Sequence, residues 1–161
     1  MLETPVQERQ ARAVAAVERR AHILWIDHGD GGHGYMRGDS RAFSPLSVSL
    51  ADIDSGPPAT TPDELLAAAH CSSFVVTLAD LLAQRGSPAR ELAVDTTCQI
   101  EDTECGRTIS GLHVRVRGRG AELEPGSFAE SADLALACCP ISHALSATVT
   151  ITVDAELDRG T

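Results

Sequence analysis

The chain has 161 residues, 43% of them apolar, 22% charged and only 3% aromatic, with a formal net charge of -10. That is one domain's length, enough to bury a core built from Ala, Val, Leu and Ile rather than from rings. The acidic balance argues against a phosphate-backbone ligand, so no nucleic-acid partner is expected. It suits a protein that acts on neutral or apolar small molecules.

The opening MLETPVQERQARAVAAVERR lacks the basic start, apolar stretch and cleavage site of a secretory leader. No apolar run approaches the length of a membrane span. The expected setting is the cytoplasm, with no membrane partner. Five cysteines in a reducing compartment are buried fillers, metal ligands or redox groups rather than a disulfide scaffold.

Residues 5–21 read as a polar, Ala- and Arg-rich helix with a thin apolar stripe, a separate arm over residues 1–21 ahead of a single domain over 22–161. HILWI is a short strand, and DHGDGGHGYMRGDS after it is rich in turn residues. PLSVSLADI alternates, with Leu46, Val48 and Leu50 on one face of a half-buried strand. DSGPPATT is a loop.

TPDELLAAAHCSSFVVTLADLLAQRG predicts the main helix. Thr61 caps it, Pro62 suits its first turn, Glu64 completes a Thr-x-x-Glu box and Gly86 ends it. Apolar and small residues nearly surround it, which predicts a central helix covered on most sides. ELAVDTTCQI then points Leu92, Val94, Cys98 and Ile100 one way. GLHVRVRGRG points Leu112, Val114 and Val116 inward and His113, Arg115 and Arg117 outward, and the ECGR turn makes the two a hairpin. PGSFAESADLALACC is a second helix, with Ser127 as its cap, and ATVTITVDAEL a closing strand. The order predicts an α+β domain with antiparallel sheet.

Cys139 stands before Pro140, and a residue before proline avoids helical geometry, so it ends the second helix as Pro140 opens a short new one, PISHAL. A thiol there sits near backbone partial positive charge that favours thiolate. Phe128, Ala132, Ala135 and Cys139 share one helical stripe, so the thiol should face inward. An inert buried cysteine is the plain alternative. Cys71, amid Ala and Ser, reads first as a small filler, and Cys138 points roughly 100° away from Cys139. Cys98 and Cys105 lack the short spacing of a zinc site. Asp27, His28, Asp30 and His33 share one Gly-rich loop that could gather a metal, but a solvated polar turn is much the better reading, and no metal is assigned. His70 reads as a hydrogen-bonded core histidine. Asp63 and Glu64 suit the first turn of a helix, where either could also orient an arginine beside a thiol.

The pairing of Thr61-Pro62-Asp63-Glu64-Leu65 and Ala69-His70-Cys71-Ser72-Ser73-Phe74 with Cys139-Pro140-Ile141-Ser142 resembles the OsmC/Ohr family of osmotically inducible and organic hydroperoxide resistance proteins. The resemblance covers roughly residues 22 to 158. It implies an OsmC-like fold of antiparallel sheets with two central helices, and an intertwined homodimer. It also implies peroxide reduction by two cysteines, one attacking and one resolving, with an arginine held by an acidic residue beside them. Aligned on His70 and Phe74, the attacking position falls on Ser73, and the only nearby sulfur, Cys71, points roughly 200° away. The acidic residue maps to Asp63. The arginine position reads as His33, with Arg37 nearby.

The resemblance thus implies Cys139, Cys71, Asp63 and Arg37 as catalytic candidates, and Ser73, His70, Phe74 and His33 as substrate-binding ones. The function expected is thiol-dependent reduction of organic hydroperoxides at a rearranged cysteine site, with a dithiol reductant and no cofactor. The alternative is an inactive dimer that binds a small lipophilic ligand.

Overall fold

A computed structural model describes residues 18–26, 33–43, 45–49, 59–104, 106–120 and 123–158. The chain divides into two compact units, residues 1–59 and 60–161. Most of the helix expected over 5–21 lies outside the described residues, as do Asp27, His28, Asp30, Leu50 and Cys105. Its last residues are not helical: 18–20 carry no regular structure, and Ala21 already begins a strand.

The first unit holds an antiparallel sheet of β1 (Ala21–Ile26), β2 (His33–Gly38) and β3 (Leu46–Ser49). Val48 is buried and Leu46 half-buried, the face that the alternation of β3 calls for.

The second unit is built on α1 (Pro62–Gln84), β4 (Glu91–Thr103), β5 (Gly106–Arg119), α2 (Pro125–Cys138), α3 (Pro140–Leu145) and β6 (Thr150–Leu157). Thr61 caps α1 by accepting from the Glu64 backbone N–H at 3.3 Å. Glu64 does not close the predicted box back onto Thr61; its carboxylate accepts from the Thr60 hydroxyl at 2.8 Å. At the other end Gly86 takes φ +76°. Its N–H bonds the Ala83 carbonyl while that of Ser87 bonds Leu82, a left-handed turn that glycine adopts without steric cost.

Only one stripe of α1 is buried: His70, Phe74, Leu78 and Leu82, spaced four apart. Val76 is 60% exposed, and Ala69, Ser72 and Ala79 are exposed with it, so the described residues do not supply the cover expected on most sides. The helix is also long and apolar enough, by length and composition, to cross a membrane. That corrects the reading that no run approaches such a length. Its five Ala residues raise hydropathy without adding much bulk, while Phe74, Leu78 and Leu82 serve the core stripe.

β4 and β5 form the predicted hairpin, antiparallel from Glu91↔Arg119 to Thr103↔Gly106, with an irregularity at Gln99/Ile100. β6 corrects the expectation of antiparallel sheet throughout, because it pairs with β5 in parallel, Gly111↔Thr150 to Gly118↔Leu157. The cause is the chain path. α2 and α3 together carry the chain from the end of β5 back to its beginning, the crossover that a parallel partner requires. α2 starts at Pro125 with Glu124 in the cap position, three residues ahead of the expected cap Ser127, since proline's fixed φ suits the first turn.

The inner sheet face and the two long helices meet in one core of Phe74, Leu78, Leu82, Val114, Val116, Phe128, Ala132, Ala135 and Cys139. Phe128 fits because Gly118 lacks a side chain: a Cβ there would lie 2.6 Å from the Phe128 ring. On the outer face Arg117 pairs with Asp95, Arg119 with Glu91 and Asp158, and His113 with Asp154. These exposed pairs keep that face wet and contribute little each to stability.

Candidate functional site

Cys139 lies between α2 and α3. It has extended geometry (φ -64°, ψ 122°), as its place before Pro140 dictates, and serves as cap of both helices. The stripe of Phe128, Ala132 and Ala135 carries its side chain into the core, where Cys139 is 0% exposed. There Cys139 Sγ lies 3.2 Å from Ser73 Oγ, the thiol donating. α1 supplies Ser73 one residue before Phe74 of its buried stripe.

Cys71 faces elsewhere. Its thiol donates to the Val94 carbonyl of β4 at 3.1 Å, as two residues of helical rotation require. Ser73, not Cys71, is therefore the α1 residue hydrogen-bonded to Cys139. Cys138 is exposed and Cys98 half-buried. Burial and then the negative charge of Asp63 push the Cys98 thiol up. Among the described residues Asp63 makes no ion pair.

His70 is fully buried, and its Nε2 lies 2.8 Å from Ser142 Oγ of α3. Its ring stacks on Phe74 one turn along α1, centroids 6.5 Å apart and 12° between planes. Burial holds the imidazole below its ordinary value, so at neutral pH it is uncharged. Arg37 is exposed on β2 beside His22 of β1. His33 opens β2 opposite Ile26. Both belong to the first unit. Among the described residues no group of three or more His, Cys, Asp or Glu could hold a metal.

The opposing effects on Cys139 have a clear winner. Burial acts most strongly and raises the thiol. Against it act the Ser142 backbone N–H, the Ser73 and Ser142 hydroxyls and the Ile141 backbone N–H, of which the Ser73 hydroxyl is in hydrogen-bond geometry with the sulfur. Together they outweigh burial, and the thiol falls below its ordinary value. Ser142, the fourth residue of Cys-Pro-Ile-Ser, had no assigned role in the sequence reading. The signal lay in its spacing, since a residue three after the cap returns to the cap's side of a first helical turn. A cleft of about 650 Å³ opens between α2, α3 and β6, with Ser142, Leu136, His143, Thr150 and Ile151 in its wall.

The family of OsmC-like proteins matches residues 54–154, more than half the chain, and the match takes in both halves of this site. The chain belongs to the OsmC family. The Peroxiredoxin OsmC of Escherichia coli (strain K12) is 24% identical over 135 residues, 84% of this chain and 94% of the relative. Two solved structures share the OsmC fold. The organic hydroperoxide resistance protein OhrB of Bacillus subtilis has TM-score 0.67 at 20% identity, over 86% of this chain and 98% of that one. The OsmC like protein from Mycoplasma pneumoniae has TM-score 0.73 at 12% identity, over 89% and 99%. The two-sheet α+β architecture of this chain is thus that of the OsmC family.

Proposed function

We propose that this protein reduces organic hydroperoxides, with Cys139 as the reactive thiol, and that it works as a homodimer in peroxide defence. The observation that carries the reading is the buried Cys139 sulfur at the start of α3, 3.2 Å from the Ser73 hydroxyl. The thiol lies below its ordinary value although burial alone would raise it. The names of the Escherichia coli and Bacillus subtilis relatives support the substrate class.

In the first step the thiolate attacks the outer peroxide oxygen. An S–O bond forms, the O–O bond breaks, and the alkoxide leaves and takes a proton, so sulfur becomes sulfenic acid and the peroxide an alcohol. Ser73 cannot act in its place, since an alcohol does not cycle through sulfenic acid and disulfide. Cys71, held to Val94, is the resolving thiol only if it leaves that carbonyl. The other route uses a dithiol reductant. One of its thiols condenses with the sulfenic acid and releases water, and the second then attacks the mixed disulfide, freeing Cys139 and leaving the reductant oxidised.

The test is peptide-resolved mass spectrometry of the reduced protein after one equivalent of an organic hydroperoxide. Oxidation at Cys139, lost in Cys139→Ser and retained in Cys71→Ser, supports the reading with an external reductant. A Cys71–Cys139 disulfide would make Cys71 the partner. If every thiol stays free, the protein is no peroxidase. A second reading then takes over, that of a binding protein with a small lipophilic ligand in the cleft beside Ser142, whose volume is within the range of small-molecule sites.

A further inference from the structure

A sulfenic acid in a protein is cleared by condensing with a thiol or with a backbone nitrogen. At Cys139 each route within the described residues is closed. Ser73 Oγ lies 3.2 Å from the sulfur, and an alcohol forms no disulfide. Cys71, two residues earlier on the same helix, is rotated by roughly 200°. Its thiol is bonded to the Val94 carbonyl of β4 at 3.1 Å. Neither Cys71 nor Cys98 is among the side chains packed in or against the core cluster that holds Cys139.

Cys138, next in sequence, is too near. Consecutive Cα atoms lie about 3.8 Å apart, whereas a disulfide usually spans about 4.4–6.8 Å. The backbone nitrogen that follows the sulfur belongs to Pro140 and carries no hydrogen. A sulfenamide needs that hydrogen, since its S–N bond replaces an N–H. A thiol of a second copy of the chain meets a different obstacle. Cys139 is 0% exposed within its own chain, so its surface is already covered from every side.

What remains is a thiol that comes in from solution. Any movement wide enough for the terminal oxygen of a hydroperoxide also admits the end of another small molecule. A folded protein, with its thiol on a rigid surface, needs far more room, and access limits thiol exchange.

We propose that Cys139 works as a single redox cysteine, whose sulfenic acid persists until a low-molecular-weight thiol enters the site and clears it. This rests on Cys139 being the reactive thiol, and it deepens that reading by naming the class of reductant. The small thiol condenses with the sulfenic acid, forming an S–S bond and releasing water. A second thiol, on the same molecule or another, attacks the outer sulfur of that mixed disulfide. Cys139 leaves as thiolate and the small molecule departs as disulfide. The two electrons given to the peroxide thus come from two small-molecule thiols.

The experiment gives the reduced full chain one equivalent of cumene hydroperoxide and follows the Cys139 peptide by mass spectrometry, with sulfenic acid trapped by dimedone on unfolding. Without added thiol the trapped signal should persist. The oxidised protein is then divided among 2-mercaptoethanol, dithiothreitol and reduced thioredoxin at equal thiol concentration. Both small thiols should return Cys139 to its free state, the first by way of a mixed disulfide on its peptide. Thioredoxin, a folded dithiol, should act slower by a factor on the order of ten or more. A disulfide joining Cys139 to any other cysteine of the chain, Cys105 included, overturns the proposal. So does clearance by thioredoxin at the rate of the small thiols. Both of those outcomes leave the peroxidase reading standing. A Cys139 that takes up no oxygen removes the reading and the proposal together.

Discussion

Ser73 Oγ and Cys139 Sγ lie 3.2 Å apart although 66 positions separate them in the chain. The fold thus places an oxygen where a second sulfur would complete a two-cysteine site. The second sulfur that the chain does carry, Cys71, is turned onto β4. One atom at position 73 separates this site from a disulfide-forming one.

Ser73→Cys should therefore restore a redox pair. Oxidation by one equivalent of organic hydroperoxide should yield a disulfide between positions 73 and 139, read as a cross-linked peptide under non-reducing conditions. The two side chains are already in contact, and a disulfide needs their Cβ atoms about 4 Å apart. The bond should form at the expense of the sulfenic acid, with Cys71→Ser making no difference. Free thiols at both positions after oxidation would mean that the contact does not bring the two Cβ atoms within bridging range.

Acid should weaken the fold through His70. In the unfolded chain its imidazole titrates near 6.5, and burial holds it lower in the native state. Above that value it is neutral in both states and contributes no pH dependence. As pH falls below it, the unfolded chain binds a proton that the native state refuses, so stability declines until the native imidazole also titrates. Urea midpoints should fall between about pH 7.5 and about pH 5.5, and fall less in His70→Gln. Equal slopes in the two proteins would exclude His70 as the cause.

Gly118→Ala should be costly for a single methyl group. The added Cβ would lie 2.6 Å from the ring of Phe128, which is itself buried in the core. Either the ring or β5 must shift, a strain of about 1–3 kcal/mol. Chemical denaturation should show the loss, and Phe128→Leu in the same chain should recover part of it, because the two sites share one contact.

Two neighbouring threonines should behave differently. Thr61→Ala removes the oxygen that accepts from the Glu64 N–H at the start of α1 and should cost about 1 kcal/mol. Thr60→Ala removes only an exposed bond to the Glu64 carboxylate and should stay within about 0.5 kcal/mol. Similar losses in both would show that Glu64 is a working part of the cap.

Much of this protein is legible without coordinates, because it depends on neighbours in sequence. Thr61, Pro62 and Gly86 bound α1 through groups within four residues of each other. The alternation of Leu112, Val114 and Val116 against His113, Arg115 and Arg117 sets the faces of β5, since side chains in a strand alternate. Pro140 alone keeps Cys139 out of helical geometry. The inward stripe ending at Cys139, and the opposite aim of Cys71 and Ser73, follow from helical rotation.

What sequence could not decide are the relations that need the path of the chain through space. β6 alternates equally well as an antiparallel or a parallel strand, and only the crossover through α2 and α3 makes it parallel. α1 is apolar all round, and only packing shows that His70, Phe74, Leu78 and Leu82 are its buried side. The bond from His70 to Ser142 spans 72 positions, and nothing in either local pattern announces it. Local propensity acts over a turn of helix or a pair of strands. The state of the Cys139 thiol depends on its burial and on the Ser73 hydroxyl that α1 brings to it, and tertiary packing alone settles that.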